Sequence, residues 1–235
     1  MFMKILGVDS TATAASAAVF IDGKIVSLQF SNTGLTHSQT LLPMIDTALK
    51  NASLKVDDLD FVAVSNGPGS FTGVRIGVSA VKGIAQPLDI PCVSVSTTEV
   101  IAKPLENTGC YAVAVMDARC NQVYTAQFDC GKGFERKTPD EALSIADLTE
   151  QLKAIDRKII LIGDGAVLCY NKMKDEIADI SIAPLNIRYQ SASSVVLVAA
   201  DKLNESLDNA VEPAGLLPNY LRLSQAEREL KNKNK

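Results

Sequence analysis

Two stretches of this chain overlay on each other at one constant spacing, and that feature limits the fold more than any compositional figure. Asp9 and Asp117, Phe20 and Phe128, and Gly23 and Gly131 each lie 108 positions apart. Around the first set the order is a strand from Lys4 to Val8, the polar loop Asp9-Ser10-Thr11-Ala12-Thr13, a strand from Ala15 to Ile21, an Asp22-Gly23 hairpin turn and a strand from Lys24 to Phe30. Around the second, Cys110 to Met116 is strand-like and ends at Asp117, a short polar loop follows, Gln122 to Phe128 resumes the β pattern, and Cys130-Gly131 supplies the turn. A meander that repeats without a gap implies a duplicated unit. Two related domains are therefore expected, over residues 1–103 and 104–215, with a closing segment, 216–235, expected as a helix packed back on the first domain.

Between the meanders the period changes from two to that of a helix. Ser38 to Asn51 carries Leu41, Leu42, Ile45, Ala48 and Leu49 along one face, with Pro43 tolerable in its first turns. Asp60 to Ser65 reads as a buried strand, followed by the loop Asn66 to Gly73 and a helix from Val74 to Gln86. The second half adds a strand from Lys158 to Ile162 that runs into Gly163-Asp164-Gly165, and a helix from Ser193 to Leu207. Strands and helices mixed in two similar halves predict an α/β architecture with a cleft between them.

At 235 residues and 47% apolar content the chain can bury a core in each half. It has no run of about twenty apolar residues, so neither a spanning helix nor a signal peptide is expected, and the expected location is cytoplasmic. A formal charge of −4 offers phosphate no broad attraction, so any nucleic acid is expected to be held by a partner. The basic stretch Arg222 to Lys235 is the exception, as a solvated helix or as a contact with RNA or a partner. The five cysteines form no CxxC pair, which argues against a thiolate zinc site or a disulfide framework and for reduced, partly buried thiols.

The run Gly67-Pro68-Gly69-Ser70-Phe71-Thr72-Gly73-Val74-Arg75-Ile76-Gly77 stands between a strand and a helix. Its N–H groups could cradle phosphate, yet no Gly-Lys-Ser/Thr closes the loop and its glycine spacing exceeds the dinucleotide pattern by one residue. The other reading is a packing surface: Gly73, Gly77 and Ala80 form a small-residue stripe flanked by Val74, Val78 and Val81. That stripe is covered either within the chain or by a partner's helix, with the row on Ser38 to Asn51 completing a four-helix contact. His37, the single histidine, excludes a two-histidine metal site and is expected to cap the helix or lie at the surface. Asp9, Ser10 and Thr11 at a strand end, Asp117 at the repeated place, and Gly163, Asp164 and Gly165 are the candidate nucleotide-binding positions. There two carboxylates could hold hydrated Mg²⁺ with ATP, or simply cap turns.

Ile5-Leu-Gly-Val-Asp-Ser-Thr, Ser65-Asn-Gly-Pro-Gly-Ser-Phe-Thr-Gly-Val-Arg-Ile-Gly, Met116-Asp-Ala-Arg followed by Val123-Tyr124, and the closing Pro218-Asn-Tyr-Leu-Arg with Gln225-Ala-Glu-Arg all resemble the TsaB family, also called YeaZ, over essentially the full length. The resemblance implies duplicated actin-like ATPase domains (the sugar kinase, Hsp70 and actin superfamily, ribonuclease H-like). It also implies a part in forming N6-threonylcarbamoyladenosine at position 37 of tRNAs that read codons starting with A. In that system a catalytic paralogue, TsaD, holds the metal and the threonylcarbamoyl-adenylate, TsaE is an assisting ATPase, and TsaB pairs with TsaD. Pairing is implied to run through the two N-terminal helices, here Ser38–Asn51 and Val74–Gln86, so Leu41, Leu42, Ile45, Leu49, Gly73, Val74, Gly77, Val78, Ala80 and Val81 are the expected interface. The same surface is implied to self-associate when the partner is absent, and tRNA is reached only through the complex.

The paralogue's Val-Asn-His-x-Glu-Gly-His motif, laid alongside from Pro91, puts Thr97 and Ile101 on its two histidines while Glu99 survives. The resemblance thus implies no catalytic residue, no metal and no cofactor in this chain. Cys120-Asn121 departs from the family, where a second basic residue commonly follows Arg119. The alternative from the same superfamily is a self-sufficient Mg-dependent ATPase or phosphotransferase using Asp9 and Asp117. A peptidase is disfavoured by the single histidine.

Overall fold

The computed structural model describes residues 3–222. The chain opens with β1 (Lys4–Asp9), β2 (Ala15–Ile21) and β3 (Lys24–Ser31), then α1 (His37–Asn51), β4 (Phe61–Ser65), α2 (Phe71–Ala85), β5 (Cys92–Val95) and α3 (Thr97–Ala102). The second half contains β6 (Tyr111–Asp117), β7 (Gln122–Asp129), β8 (Glu135–Arg136), β9 (Glu141–Ser144), α4 (Ile145–Leu152), β10 (Ile159–Ile162), α5 (Ala166–Met173), β11 (Ile180–Ile182) and α6 (Ala192–Glu205). No helix among the described residues is long and apolar enough to cross a membrane.

Both sheets are mixed and share one plan. The first has the order β3-β2-β1-β4-β5 and the second β11-β10-β6-β7-β8, with β9 also on β7. In each, the leading strand pairs antiparallel with its hairpin partner and parallel with the strand that returns after a helix. The expected duplicated α/β fold is therefore present.

The gapless overlay is not. Ile5 faces Phe20 across the first ladder, whereas Ala112 faces Phe128 across the second. The second strands of the two hairpins keep the 108 spacing, but the first strands are offset by 107, because the loop between β6 and β7 is one residue shorter. Since strand side chains alternate between faces, a slip of one moves every residue of β6 to the opposite face from the one a gapless repeat assigns. Asp9 is thereby matched to Met116, and Asp117 to Ser10.

Among the described residues, four apolar clusters hold the fold together. Under α1 and α2, Leu6, Val8, Val62 and Val64 of the sheet meet Leu41, Ile45, Leu49, Val74, Val78 and Val81. The other face of that sheet is covered by α6 through Val195, Val196, Ala199 and Leu203. In the second half α4 and α5 cover one face, and Ile101, Ala102 and Leu105, at and just beyond the end of α3, reach the other. The helix at the end of each half thus packs on the sheet of the other. Gly7 makes room for α6, since a Cβ there would stand 2.5 Å from Val196 Cγ1. Each buried Leu, Ile or Val in these clusters contributes about 1.5–3 kcal/mol.

Lys103, almost wholly buried at the junction, fixes the exchange by pairing with Asp201 of α6 at 2.6 Å and Glu106 at 2.9 Å. Burial alone would lower its pKa, but the bonds from Asp201 and Glu106 outweigh that and raise it. Of the closing segment, the described part from Leu216 to Arg222 is not helical. It is a strap whose Leu216 enters the cluster under α1 and α2. The basic stretch beyond Arg222 lies outside the described residues.

Candidate functional site

The C-terminal ends of β1 and β6 open into a cavity of about 700 Å³ between the two halves. Thr11 and Thr13 line it from the first loop, Asp117 and Arg119 from the second, Asp164 from the turn after β10, and Tyr220 and Arg222 from the strap. Ligands of open α/β sheets bind beyond the carboxyl ends of the strands, so this cleft is where a small molecule would sit.

Of the candidate nucleotide residues, Thr11, Asp117 and Asp164 reach the cavity, and Asp9, Ser10, Gly163 and Gly165 do not line it. Asp9 lies on the face covered by α6 and is fully buried. Its Oδ1 accepts from Thr11 N and Thr11 Oγ1, each at 3.0 Å, while Oδ2 has no partner. Burial pushes its carboxyl up to about 6, against smaller lowering effects from Ser65, Thr11 and His37. The expectation that two equivalent carboxylates face the cleft therefore fails, because the one-residue slip turns Asp9 inward and Asp117 outward.

Asp117 is spent on its own loop: Oδ1 accepts from Arg119 N at 2.7 Å, and its N–H donates to Asp164 Oδ1 at 3.2 Å. Burial and then the nearby Asp117 charge raise the Asp164 pKa, partly offset by backbone N–H donors. Arg119, Cys120 and Asn121 all have positive φ, at 63°, 52° and 57°. Three left-handed non-glycine residues in a row carry a backbone cost. Gly163 has φ 119°, and a Cβ there would lie 2.1 Å from Val115 O, so its glycine serves close approach to β6. Among the described residues no three His, Cys, Asp or Glu side chains converge in a way that could hold a metal ion.

The glycine-rich run also turns inward. A Cβ on Gly69 would stand 2.4 Å from Thr11 O, one on Gly73 2.1 Å from Ser10 O, and one on Gly77 2.7 Å from Ser10 Oγ. Ser10 Oγ donates to Gly73 O at 2.8 Å and Ser70 N to Thr11 O at 2.7 Å. The N-terminus of α2 is capped by Ser70, whose Oγ accepts from Gly73 N at 3.3 Å. At Gly73 and Gly77 the stripe is therefore filled by the chain's own first loop, while Pro68 to Thr72 of the same run line the cavity beside Thr11 and Thr13. His37 follows the same logic: its Nε2 lies 2.6 Å from Ala12 O, and since a carbonyl only accepts, Nε2 carries the hydrogen. It ties the loop to α1 and does not cap the helix.

The expected interface list is corrected in the same way. Leu41, Ile45, Leu49, Gly73, Val74, Gly77, Val78 and Val81 are buried in the isolated chain, because a helix lying on a sheet must give its apolar row to that sheet. What the pair of helices leaves outside is Leu42, 54% exposed, while Met44, Ile76, Ala80 and Ile84 are half-buried. Phe71, Arg75 and Tyr220, absent from the expected set, form a further surface feature. The rings stack at 4.8 Å, the Arg75 guanidinium lies 3.8 Å over Phe71, and Arg75 Nε donates to Tyr220 Oη at 2.7 Å. Phe71 and Arg75, four apart at the start of a helix, were the available sequence signal.

Comparison with known proteins bears on this arrangement. A family model described as TsaD: tRNA N6-adenosine threonylcarbamoyltransferase matches residues 31–230. The chain is 29% identical over 227 residues to the tRNA threonylcarbamoyladenosine biosynthesis protein TsaB of Bacillus subtilis (strain 168), covering 96% of each. It is 28% identical over 235 residues to the protein of the same name from Escherichia coli (strain K12), covering 98% of this chain and all of the other. In fold it is similar to YeaZ from Pseudomonas aeruginosa, with a TM-score of 0.77 at 22% identity over 93% of this chain and 100% of that one. The two mixed sheets repeat one strand plan. With a matching family model across most of its length and full-length likeness to two TsaB proteins, the chain belongs to the TsaB (YeaZ) family of tRNA threonylcarbamoyladenosine biosynthesis proteins.

Proposed function

We propose that this chain is a non-catalytic pairing subunit in the formation of N6-threonylcarbamoyladenosine at adenosine 37 of tRNA, docking through α1 and α2 onto a catalytic TsaD-like paralogue. The observation that carries the reading is the state of Thr97 and Ile101, the positions aligned with the paralogue's metal-binding histidines. Both are buried in α3, Thr97 at 0% and Ile101 at 1% exposure. Thr97 Oγ1 has no hydrogen-bond partner, and Ile101 has no donor atom at all. A metal that polarises a carbamoyl donor needs imidazole or carboxylate ligands, and this pair supplies neither. The residues present do not fit the metal.

The docking half of the reading is supported by Leu42, Met44, Ile76, Ala80 and Ile84, apolar side chains left at or near the surface of two adjacent helices. A paralogue of the same fold presents an equivalent helix pair, and the two pairs close a four-helix contact. Without that partner a second copy takes its place. A TsaE-like ATPase joins the assembly, tRNA is held by the complex and not by this acidic chain, and the work is cytoplasmic. Depleting the protein and quantifying the modified nucleoside in bulk tRNA by mass spectrometry tests the assignment. A fall is expected, and an unchanged level refutes it.

A further inference from the structure

Cys110 and Cys130 are twenty positions apart in sequence and directly opposite in space. The β6–β7 ladder pairs Tyr111 with Asp129, and the next step outward brings the two cysteines together. Gly109, with φ +81°, donates to Cys130 O, and Cys130 N donates to Cys110 O, both at 3.0 Å. This is a glycine bulge in which two residues face one. The side chains share a face, since both thiols belong to the cluster that contains Ala112, Ala114, Ala126 and Phe128. Opposite positions of antiparallel strands have Cα separations of about 4.5–5.5 Å, inside the range a disulfide requires.

The surroundings favour reaction at one sulfur. The neighbouring Cys130 thiol, then Thr108, whose Oγ1 lies 3.2 Å from Cys110 Sγ, and the Arg157 charge draw the Cys110 thiol below its usual range, while the neighbouring Cys110 and burial push Cys130 up. Asn107, Thr108 and Gly109 are exposed, so Cys110 sits one residue inside the rim of the sheet. By contrast, burial pushes Cys92 up to about 11 and Cys169 up to about 12.

We propose that Cys110 and Cys130 are a modification site, a dithiol that a hydroperoxide converts into a cross-strand disulfide within the chain. The Cys110 thiolate attacks one peroxide oxygen, the O–O bond breaks, and a sulfenic acid forms as hydroxide leaves. Cys130 Sγ then attacks the sulfenic sulfur, the S–S bond forms, and the departing hydroxide takes the Cys130 proton as water. Two thiols and one hydroperoxide give one disulfide and two waters when the peroxide is hydrogen peroxide. The bond closes β6 onto β7 at the end opposite Asp117, away from the cleft and the pairing helices.

The test treats the reduced, folded full-length protein with hydrogen peroxide, blocks remaining thiols with an alkylating agent, and maps unreduced peptides by mass spectrometry. The expected result is a Cys110–Cys130 cross-linked peptide that forms at least about ten times faster than any product at Cys92 or Cys169. In Cys130→Ser, which keeps a donor beside Cys110 but cannot form the disulfide, the sulfenic acid on Cys110 is expected to persist and be trapped by a 1,3-diketone probe. The wild-type map decides the matter even if that variant does not fold. Recovery of Cys110 and Cys130 as separate alkylated thiols or sulfinic acids, while the exposed Cys120 is consumed, would overturn the proposal.

Discussion

Met116, not Asp117, stands in the second sheet where Asp9 stands in the first. Asp9 pairs with Ser16 and Met116 with Tyr124 at the equivalent rung of the two ladders. A fully buried carboxyl thus occupies a place that its duplicate fills with a thioether, while Asp117 is turned to the cleft. The superfamily alternative, a chain that holds Mg²⁺ between two equivalent aspartates, loses its geometry with that slip.

Asp9 should cost stability at neutral pH. Its folded pKa, about 6, lies above the unfolded value of 3.8, so the folded chain holds the proton more tightly. The favourable contribution is complete below the unfolded pKa and is lost as pH rises from about 4 through 6, which by linkage amounts to something on the order of 2–3 kcal/mol. Asp9→Asn retains an acceptor for Thr11 and carries no charge. Urea unfolding should show the variant more stable than wild type at pH 7.5 and nearly equal to it at pH 4. A variant less stable at pH 7.5 contradicts the account.

Two glycines of α2 should respond to alanine with opposite signs. At Gly73 the new methyl would lie 2.1 Å from Ser10 O, which is backbone and cannot step aside, whereas at Gly83 nothing lies within 4 Å. Gly73→Ala is expected to lose about 3 kcal/mol or more. Gly83→Ala should gain about 0.5–1 kcal/mol from helix propensity. Thermal or denaturant melts of the pair check both.

Tyr220 is one of several ties on the strap, beside Lys82 Nζ to Leu216 O at 3.3 Å, Asn219 N to Asn66 O at 2.7 Å and Arg222 Nη1 to Ala118 O at 3.4 Å, so its loss should loosen the segment without freeing it. Tyr220 stacks on Phe71 and accepts from Arg75, and Asn66 Nδ2 donates to Leu217 O at 3.0 Å. Tyr220→Ala is expected to speed hydrogen exchange across residues 217–222 by roughly tenfold, in line with about 1–2 kcal/mol of local stability. Exchange in β4 and α1 should not change.

Much of this fold was legible before the structure. The hairpins announced themselves through Asp22-Gly23 and Cys130-Gly131, and α1 (His37–Asn51) and α2 (Phe71–Ala85) begin and end within a few residues of their expected bounds. What escaped is physically of three kinds. The short elements β5, β11 and α3 carry too few residues for a period to show. The register slip rests on a loop shortened by one residue, and nothing in the polar run 117–121 states its backbone angles. Apolarity alone does not separate docking residues from core residues, because Leu41, Ile45 and Val78 are apolar for the core's sake. The surface residues Leu42 and Ala80 were named beside them on the same criterion. The pairing of Cys110 with Cys130 needed the ladder itself.

The docking claim stands or falls on a binding measurement between this chain and the TsaD-like paralogue from the same source. Leu42→Glu and Ala80→Arg alter side chains that the fold leaves at or near the surface, unlike Gly77→Arg, which would strike Ser10 and Val64 and damage the core. Titration calorimetry should give a Kd at least about a hundredfold weaker for the double variant, roughly 3 kcal/mol, with its melting temperature within a few degrees of wild type. An unaltered Kd in a folded double variant would contradict the assignment of α1 and α2 as the pairing surface.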